Sequence, residues 1–112
     1  MKLPNGARAV VEQAKIVGYL LNAAHPDNGG KAEFFLSHGF RQEDWEALAS
    51  AFLRLVIDTE VEKSVVSRHG HKYIVAGPLE TPSGKLPNVR TVWIVDTGEE
   101  TPRLVTAYPR EE

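Results

Sequence analysis

The chain has 112 residues, no cysteine and a formal net charge of −2, which points to one domain around one core. Without a thiol there is no disulfide scaffold, no thiolate zinc site and no cysteine nucleophile. A near-neutral charge also argues against a uniformly basic, non-specific nucleic-acid binder. Apolar runs are too short to cross a bilayer. The opening Met1-Lys2-Leu3-Pro4-Asn5-Gly6 lacks the apolar stretch of a secretion signal, so a cytoplasmic protein is expected.

In chain order, a helical half spans about residues 10–58. From Glu12 to Leu21, Ile16, Val17, Leu20 and Leu21 recur at helical spacing, with Asn22 as a stop. His25-Pro26-Asp27-Asn28-Gly29-Gly30 is rich in turn formers. Lys31 to His38 reads as a short helix closed by Gly39. The strongest periodicity follows: Trp45, Leu48, Ala49, Phe52, Leu55 and Val56 mark one apolar stripe from about Gln42 to Asp58. Glu43, Asp44 and Glu46 sit in its first turn, where the helix dipole favours acids.

The period then changes to two, and a sheet half spans about residues 61–109. Val61 and Val65-Val66 suggest a strand or a ragged extension of one. His71–Glu80, Asn88–Asp96 and Arg103–Tyr108 read as three strands, separated by turns at 81–84 and 97–102. Such short connections require antiparallel pairing. The expected class is α+β, three N-terminal helices packed on a C-terminal antiparallel β-meander, as one domain over 1–112 with fraying only at its end, through Glu111-Glu112.

Alternation divides the strands into faces in two possible ways. Arg90, Val92 and Ile94 oppose Thr91, Trp93 and Val95, while Val105 and Ala107 oppose Leu104, Thr106 and Tyr108. With the small aliphatics turned inward, the open face collects Thr91, Trp93, Thr106 and Tyr108. With the faces reversed, Trp93 and Tyr108 are core, as large apolar residues usually are.

Charge is unevenly placed. From Lys63 to Arg90 five cations face Glu80 alone, a local +4, which leaves −6 for the rest of the chain. Such a stretch is either a solvated face or an anion-binding surface.

The runs Lys72-Tyr73-Ile74-Val75-Ala76-Gly77-Pro78-Leu79, Val89-Arg90-Thr91-Val92-Trp93 and Pro102-Arg103-Leu104-Val105-Thr106-Ala107-Tyr108-Pro109 resemble a small bacterial domain family of unknown function. Leu3-Pro4-Asn5-Gly6, Tyr19-Leu20-Leu21-Asn22, His25-Pro26 and Lys31-Ala32-Glu33-Phe34-Phe35 extend that resemblance over nearly the whole chain. More distantly, the closing strands and Val105-Thr106-Ala107-Tyr108-Pro109 are similar to the sheet of the barnase–EndoU–colicin–RelE toxin nucleases. That resemblance implies an upstream site at His25, Gly29, Gly30 and Lys31 and a terminal part at Thr106 and Tyr108. The chain departs from the EndoU-like pattern in offering one upstream histidine instead of two, which leaves open a nuclease fold kept for binding.

Metal-independent RNA cleavage needs a base near neutral pH, a proton donor and groups that hold the developing phosphate charge. Histidine titrates in that range without perturbation, so His25 is the natural acid/base. The candidate catalytic residues are therefore His25, Lys31, Thr106 and Tyr108. Lys72 and Arg90 would bind phosphate, Arg90 in bidentate fashion, and Trp93 or Tyr108 would stack an unpaired base. Each has a plainer reading: His25 as a loop residue capping backbone groups, Lys31 as a solvated lysine, Lys72 and Arg90 as charges that discourage sheet aggregation. His69-Gly70-His71 lacks a further spaced ligand, so no metal site is expected, and no cofactor either. No glycine-rich phosphate loop is present. Two functions follow: a ribonuclease-like domain acting on RNA or another anion, or a non-enzymatic domain whose partner is a companion protein encoded nearby, as in a toxin–antitoxin-like pair. Neither involves a membrane.

Overall fold

The computed structural model describes residues 1–110; Glu111-Glu112, where fraying is expected, lie outside the described residues. Three helices precede a four-stranded antiparallel sheet whose spatial order follows the chain. α1 (Gln13–Lys15) runs directly into a π-helical turn, Ile16–Leu20; α2 is Lys31–Ser37 and α3 is Trp45–Asp58. The strands are β1 (Lys63–Ser67), β2 (Gly70–Pro78), β3 (Asn88–Asp96) and β4 (Arg103–Pro109). The meander thus has four strands where three were expected. Val65-Val66 belong to β1, whose five residues are all exposed, so no burial pattern marked it in the sequence.

α3 buries the stripe that its periodicity announced: Leu48, Ala49, Ala51, Phe52, Leu55 and Val56 are all in the interior. Phe52 meets Phe35 of α2 edge-on at 5.8 Å between ring centroids, a geometry favoured by the ring quadrupoles. On the sheet the core side is Tyr73, Val75, Val89, Trp93, Leu104 and Ala107, joined with the helices into one cluster.

The face question is resolved by a register shift between Val92 and Trp93. Thr91 pairs with Ala107 and Val92 with Thr106, but Trp93 pairs with Leu104, so Val105 is the extra residue of a bulge. Strict alternation would set Leu104 and Ala107 on opposite faces. The bulge brings both inward, and both are buried. On β3, which pairs regularly with β2, Thr91 and Trp93 alternate onto the core side, whereas Thr106 and Tyr108 pair with Val92 and Arg90 on the other side of the sheet. Each of the two expected face assignments is half right. Burial leaves no polar atom of the Thr91–Trp93 pair unsatisfied: Trp93 Nε1–H donates to Thr91 Oγ1 at 2.8 Å, and Thr91 donates to the Val75 carbonyl at 2.7 Å.

At the β1–β2 hairpin, Gly70 holds φ at 148°, and a Cβ there would run into the Val95 carbonyl on β3. Only glycine closes this corner without displacing β3.

Candidate functional site

The π turn shapes the first corner of interest. Leu21 N–H donates to the Ile16 carbonyl at 2.8 Å, an i to i+5 bond, with Gly18 inside the turn. The wider turn keeps Ile16, Leu20 and Leu21 in the core while Tyr19 reaches the edge strand β4. There the Tyr19 and Thr106 hydroxyls lie 3.3 Å apart. Turns of this type occur often at functional sites.

Three further groups gather on the Tyr19 ring. Lys15 Nζ and Lys31 Nζ stand 5.3 Å and 5.6 Å from its centroid, within cation–π range. His25 packs against it edge-on at 5.0 Å and 71°. A cleft of about 230 Å³ beside the ring is lined by Glu12, Ala14, Lys15, Gly18, Tyr19 and His25. Desolvation raises the pKa of the Tyr19 phenol, but the hydrogen bond with Thr106 and the nearby ammonium groups of Lys31 and Lys15 together outweigh it, so the phenol lies below its ordinary value of 10.0.

The loop from Asn22 to Gly30 fixes this geometry through Asn28, one of two buried polar residues among those described. Its Nδ2–H donates to the Tyr19 carbonyl at 2.6 Å, and its Oδ1 accepts from Ala32 N–H at 2.8 Å. One side chain thus ties the end of the π turn to the first turn of α2, satisfying orphan groups of both helix ends. Gly29 and Gly30 follow at φ 64° and 89°, which L side chains rarely adopt. Lys31 Nζ donates to the Asn28 carbonyl at 3.1 Å, which turns the amine back toward Tyr19. His25 Nδ1 accepts the Asp27 N–H at 3.0 Å. The backbone-capping reading of His25 is therefore realised at one nitrogen, and in this tautomer Nε2 carries the proton.

A second corner lies across the helix-free side of the sheet. Arg90 makes a two-pronged pair with Glu62, at 3.1 Å and 3.3 Å, and Arg110 reaches the same carboxylate at 3.4 Å. The hydrogen bond from Arg90 outweighs desolvation and, with the charges of both arginines, holds the Glu62 carboxyl below its usual range. Tyr108 joins Glu62, Lys63, Ile74 and Arg90 around a cleft of about 380 Å³.

The sequence candidates thus divide. His25, Lys31 and Thr106 meet around Tyr19, while Arg90 and Tyr108 belong to the Glu62 corner. Lys72 is exposed on β2, opposite Ile94, and joins neither. Trp93 is fully buried and its indole N–H is engaged, so no base can stack on it; its assignment to substrate binding is corrected by its place, with Thr91, on the helix-facing side of β3. Tyr19 and Lys15 were not singled out as site residues, because the helical pattern made them ordinary positions of an amphipathic segment. Gly18 beside Tyr19, inside an otherwise apolar periodic run, was the available signal. His71 stacks on Tyr73 at 4.3 Å, and no group of three or more metal-ligating side chains gathers among the described residues.

These features define a mixed α/β domain, helices before an antiparallel sheet, with a cationic tyrosine corner at the edge strand. The model of the family described as "Domain of unknown function (DUF6883)" matches residues 2–111, and the chain belongs to that family. No curated protein gives a match. Among solved structures, the fold is similar to a chain of the "Contact-dependent growth inhibition toxin - immunity protein complex from Klebsiella pneumoniae 342". The TM-score is 0.75, with 20% identity over 96% of this chain and 97% of that one. At that identity the likeness is one of fold. No helix of the described residues is long and apolar enough to cross a membrane.

Proposed function

We propose that the chain is a metal-independent ribonuclease-like domain of the toxin-nuclease type, with its reactive centre at Tyr19. The observation that carries this reading is the convergence of His25, Lys31 and Thr106, from three separate parts of the chain, on one tyrosine whose phenol is acidified. The similarity of the closing strands to the barnase–EndoU–colicin–RelE group supports it.

The chemistry assigns one role to each group. Lys15 and Lys31 hold a phosphodiester of unpaired RNA and stabilise the charge that grows on it. His25 Nε2 takes the proton of the 2′-hydroxyl, the O2′–P bond forms and the P–O5′ bond breaks. Tyr19 Oη–H gives its proton to the departing 5′-oxygen, and Thr106 and the two lysines steady the resulting phenolate. For Nε2 to act as base, His25 exchanges tautomers and gives up the Asp27 bond, a cost of about 1 kcal/mol. Arg90, Tyr108 and Lys72 bind the flanking nucleotides across the open sheet face.

Single-stranded RNA incubated with the purified protein in EDTA tests this. The expected products end in a 2′,3′-cyclic phosphate, and a single 2′-deoxy substitution protects its own linkage. RNA left intact by concentrated protein would sink the catalytic reading. A second reading, a domain that binds a companion protein in a toxin–immunity-like pair, is favoured by one observation: the similar solved fold belongs to a toxin–immunity complex. The cytoplasm fits both readings, since it holds the RNA and the companion.

A further inference from the structure

We infer that β1 is the docking edge for an acidic β-strand of a companion protein, an inference that rests on the companion-protein reading and gives it a site. Sheet edges are ordinarily shielded, because their unpaired N–H and C=O groups template another strand. The β4 edge is shielded: Val10 bridges to Arg103, with backbone bonds from Val10 to Pro102 and from Leu104 to Val10, and Tyr19 packs against Thr106. β1 is the opposite edge and has no such cover among the described residues. It contains no proline, and Val65 and Val66 are 46% and 75% exposed on its two sides. Five exposed residues that include two adjacent unshielded valines form a short template for β-augmentation, with main-chain bonds giving affinity and alternate side chains specificity.

Charge decides the occupant. Lys63 begins β1, Arg68 follows it in the hairpin, and Lys72 of β2 pairs with Val65. None of these cations forms an ion pair among the described residues, where Arg54, Arg90, Arg103, Arg110 and the amino terminus supply every pair. Glu62, the neighbouring carboxylate, is already shared by Arg90 and Arg110. A second copy of the chain would set two such unpaired basic edges against each other. A strand carrying Glu or Asp at alternate positions, with small apolar residues between them, matches both the charge and the valines.

The probe is a short capped peptide alternating Glu and Val, compared with its Lys–Val counterpart by amide hydrogen exchange on the full chain. The acidic peptide is expected to protect the β1 amides and to bind about tenfold more tightly than the basic one. In Lys63→Glu/Arg68→Glu, two exposed substitutions, that preference should invert. Val66→Pro, which removes one edge donor, should weaken binding while leaving the urea midpoint close to wild type. Equal affinity for both peptides, protection elsewhere than β1, or a homodimer joined through β1 would each overturn the inference. So would single-stranded RNA protecting these amides where the acidic peptide does not. Failure to find any cognate companion would sink the companion reading alone, because the peptide reports on the edge without it.

Discussion

Two corners of this molecule hold the same kinds of residue, a tyrosine with nearby cations, and differ in how the charge is balanced. At Arg90 and Tyr108 the positive charge is spent on Glu62, which two arginines share. At Tyr19, Lys15 and Lys31 face an aromatic ring and a backbone carbonyl instead, and neither forms a salt bridge among the described residues. A paired guanidinium must release its carboxylate before it can hold a phosphate, whereas an unpaired ammonium over a ring is available at once. Residue type alone made the two corners look equivalent; the partners separate them.

The largest difference should appear in catalysis. Tyr19→Phe and Lys31→Ala are expected to lower the rate of RNA cleavage by about 100-fold or more, in line with loss of a general acid or a charge-stabilising donor. Arg90→Ala should cost about tenfold or less, read mainly as a higher KM. Initial rates on one oligonucleotide decide this, and equal losses at both corners would erase the distinction drawn here.

Stability sharpens the same contrast. Asn28→Ala removes a buried side chain that satisfies both the Tyr19 carbonyl and the Ala32 amide, and should cost about 1–3 kcal/mol in urea unfolding. Thr91→Val strands the Trp93 indole N–H and should cost a similar amount. Only Asn28→Ala should also impair cleavage, because only Asn28 joins the π turn to α2.

Protonation offers a subtler distinction. The Tyr19 phenol is more acidic in the folded chain than the ordinary 10.0, so its contribution to stability is complete above the unfolded value and is lost as pH falls through the folded one. Phenolate absorbance should therefore begin at lower pH in the wild type than in Tyr19→Phe, and Lys31→Ala should move that onset upward. Glu62 works at the acid end: its pairs stabilise the fold above the ordinary carboxylate value of 4.5 and lose that effect as pH falls through its lowered pKa. Glu62→Gln should flatten that acid limb slightly and leave the alkaline one unchanged.

The sequence made some of this legible and concealed the rest for identifiable reasons. α3 was evident because one face of a regular helix is buried throughout. β1 was obscure because burial writes the alternating pattern, and nothing in β1 is buried. Which face of the sheet is buried was undecidable because a bulge at Val105 breaks the period of two in β4. His25, Lys31 and Thr106 were nameable from residue chemistry and resemblance. Tyr19 was not, since its importance comes from a π turn and from Asn28, whose role depends on contacts nine residues back and four ahead.

The comparison of the two corners is tested most directly by binding without chemistry. A DNA oligonucleotide lacks the 2′-hydroxyl and so resists cleavage. Titrating it into the labelled protein and following each residue by NMR locates the phosphate site. The account predicts that the strongest shifts fall at Lys15, Tyr19, His25 and Lys31, with weaker ones at Arg90 and Tyr108. Shifts centred on Arg90 and Glu62 that leave Tyr19 and Lys31 unmoved would contradict it.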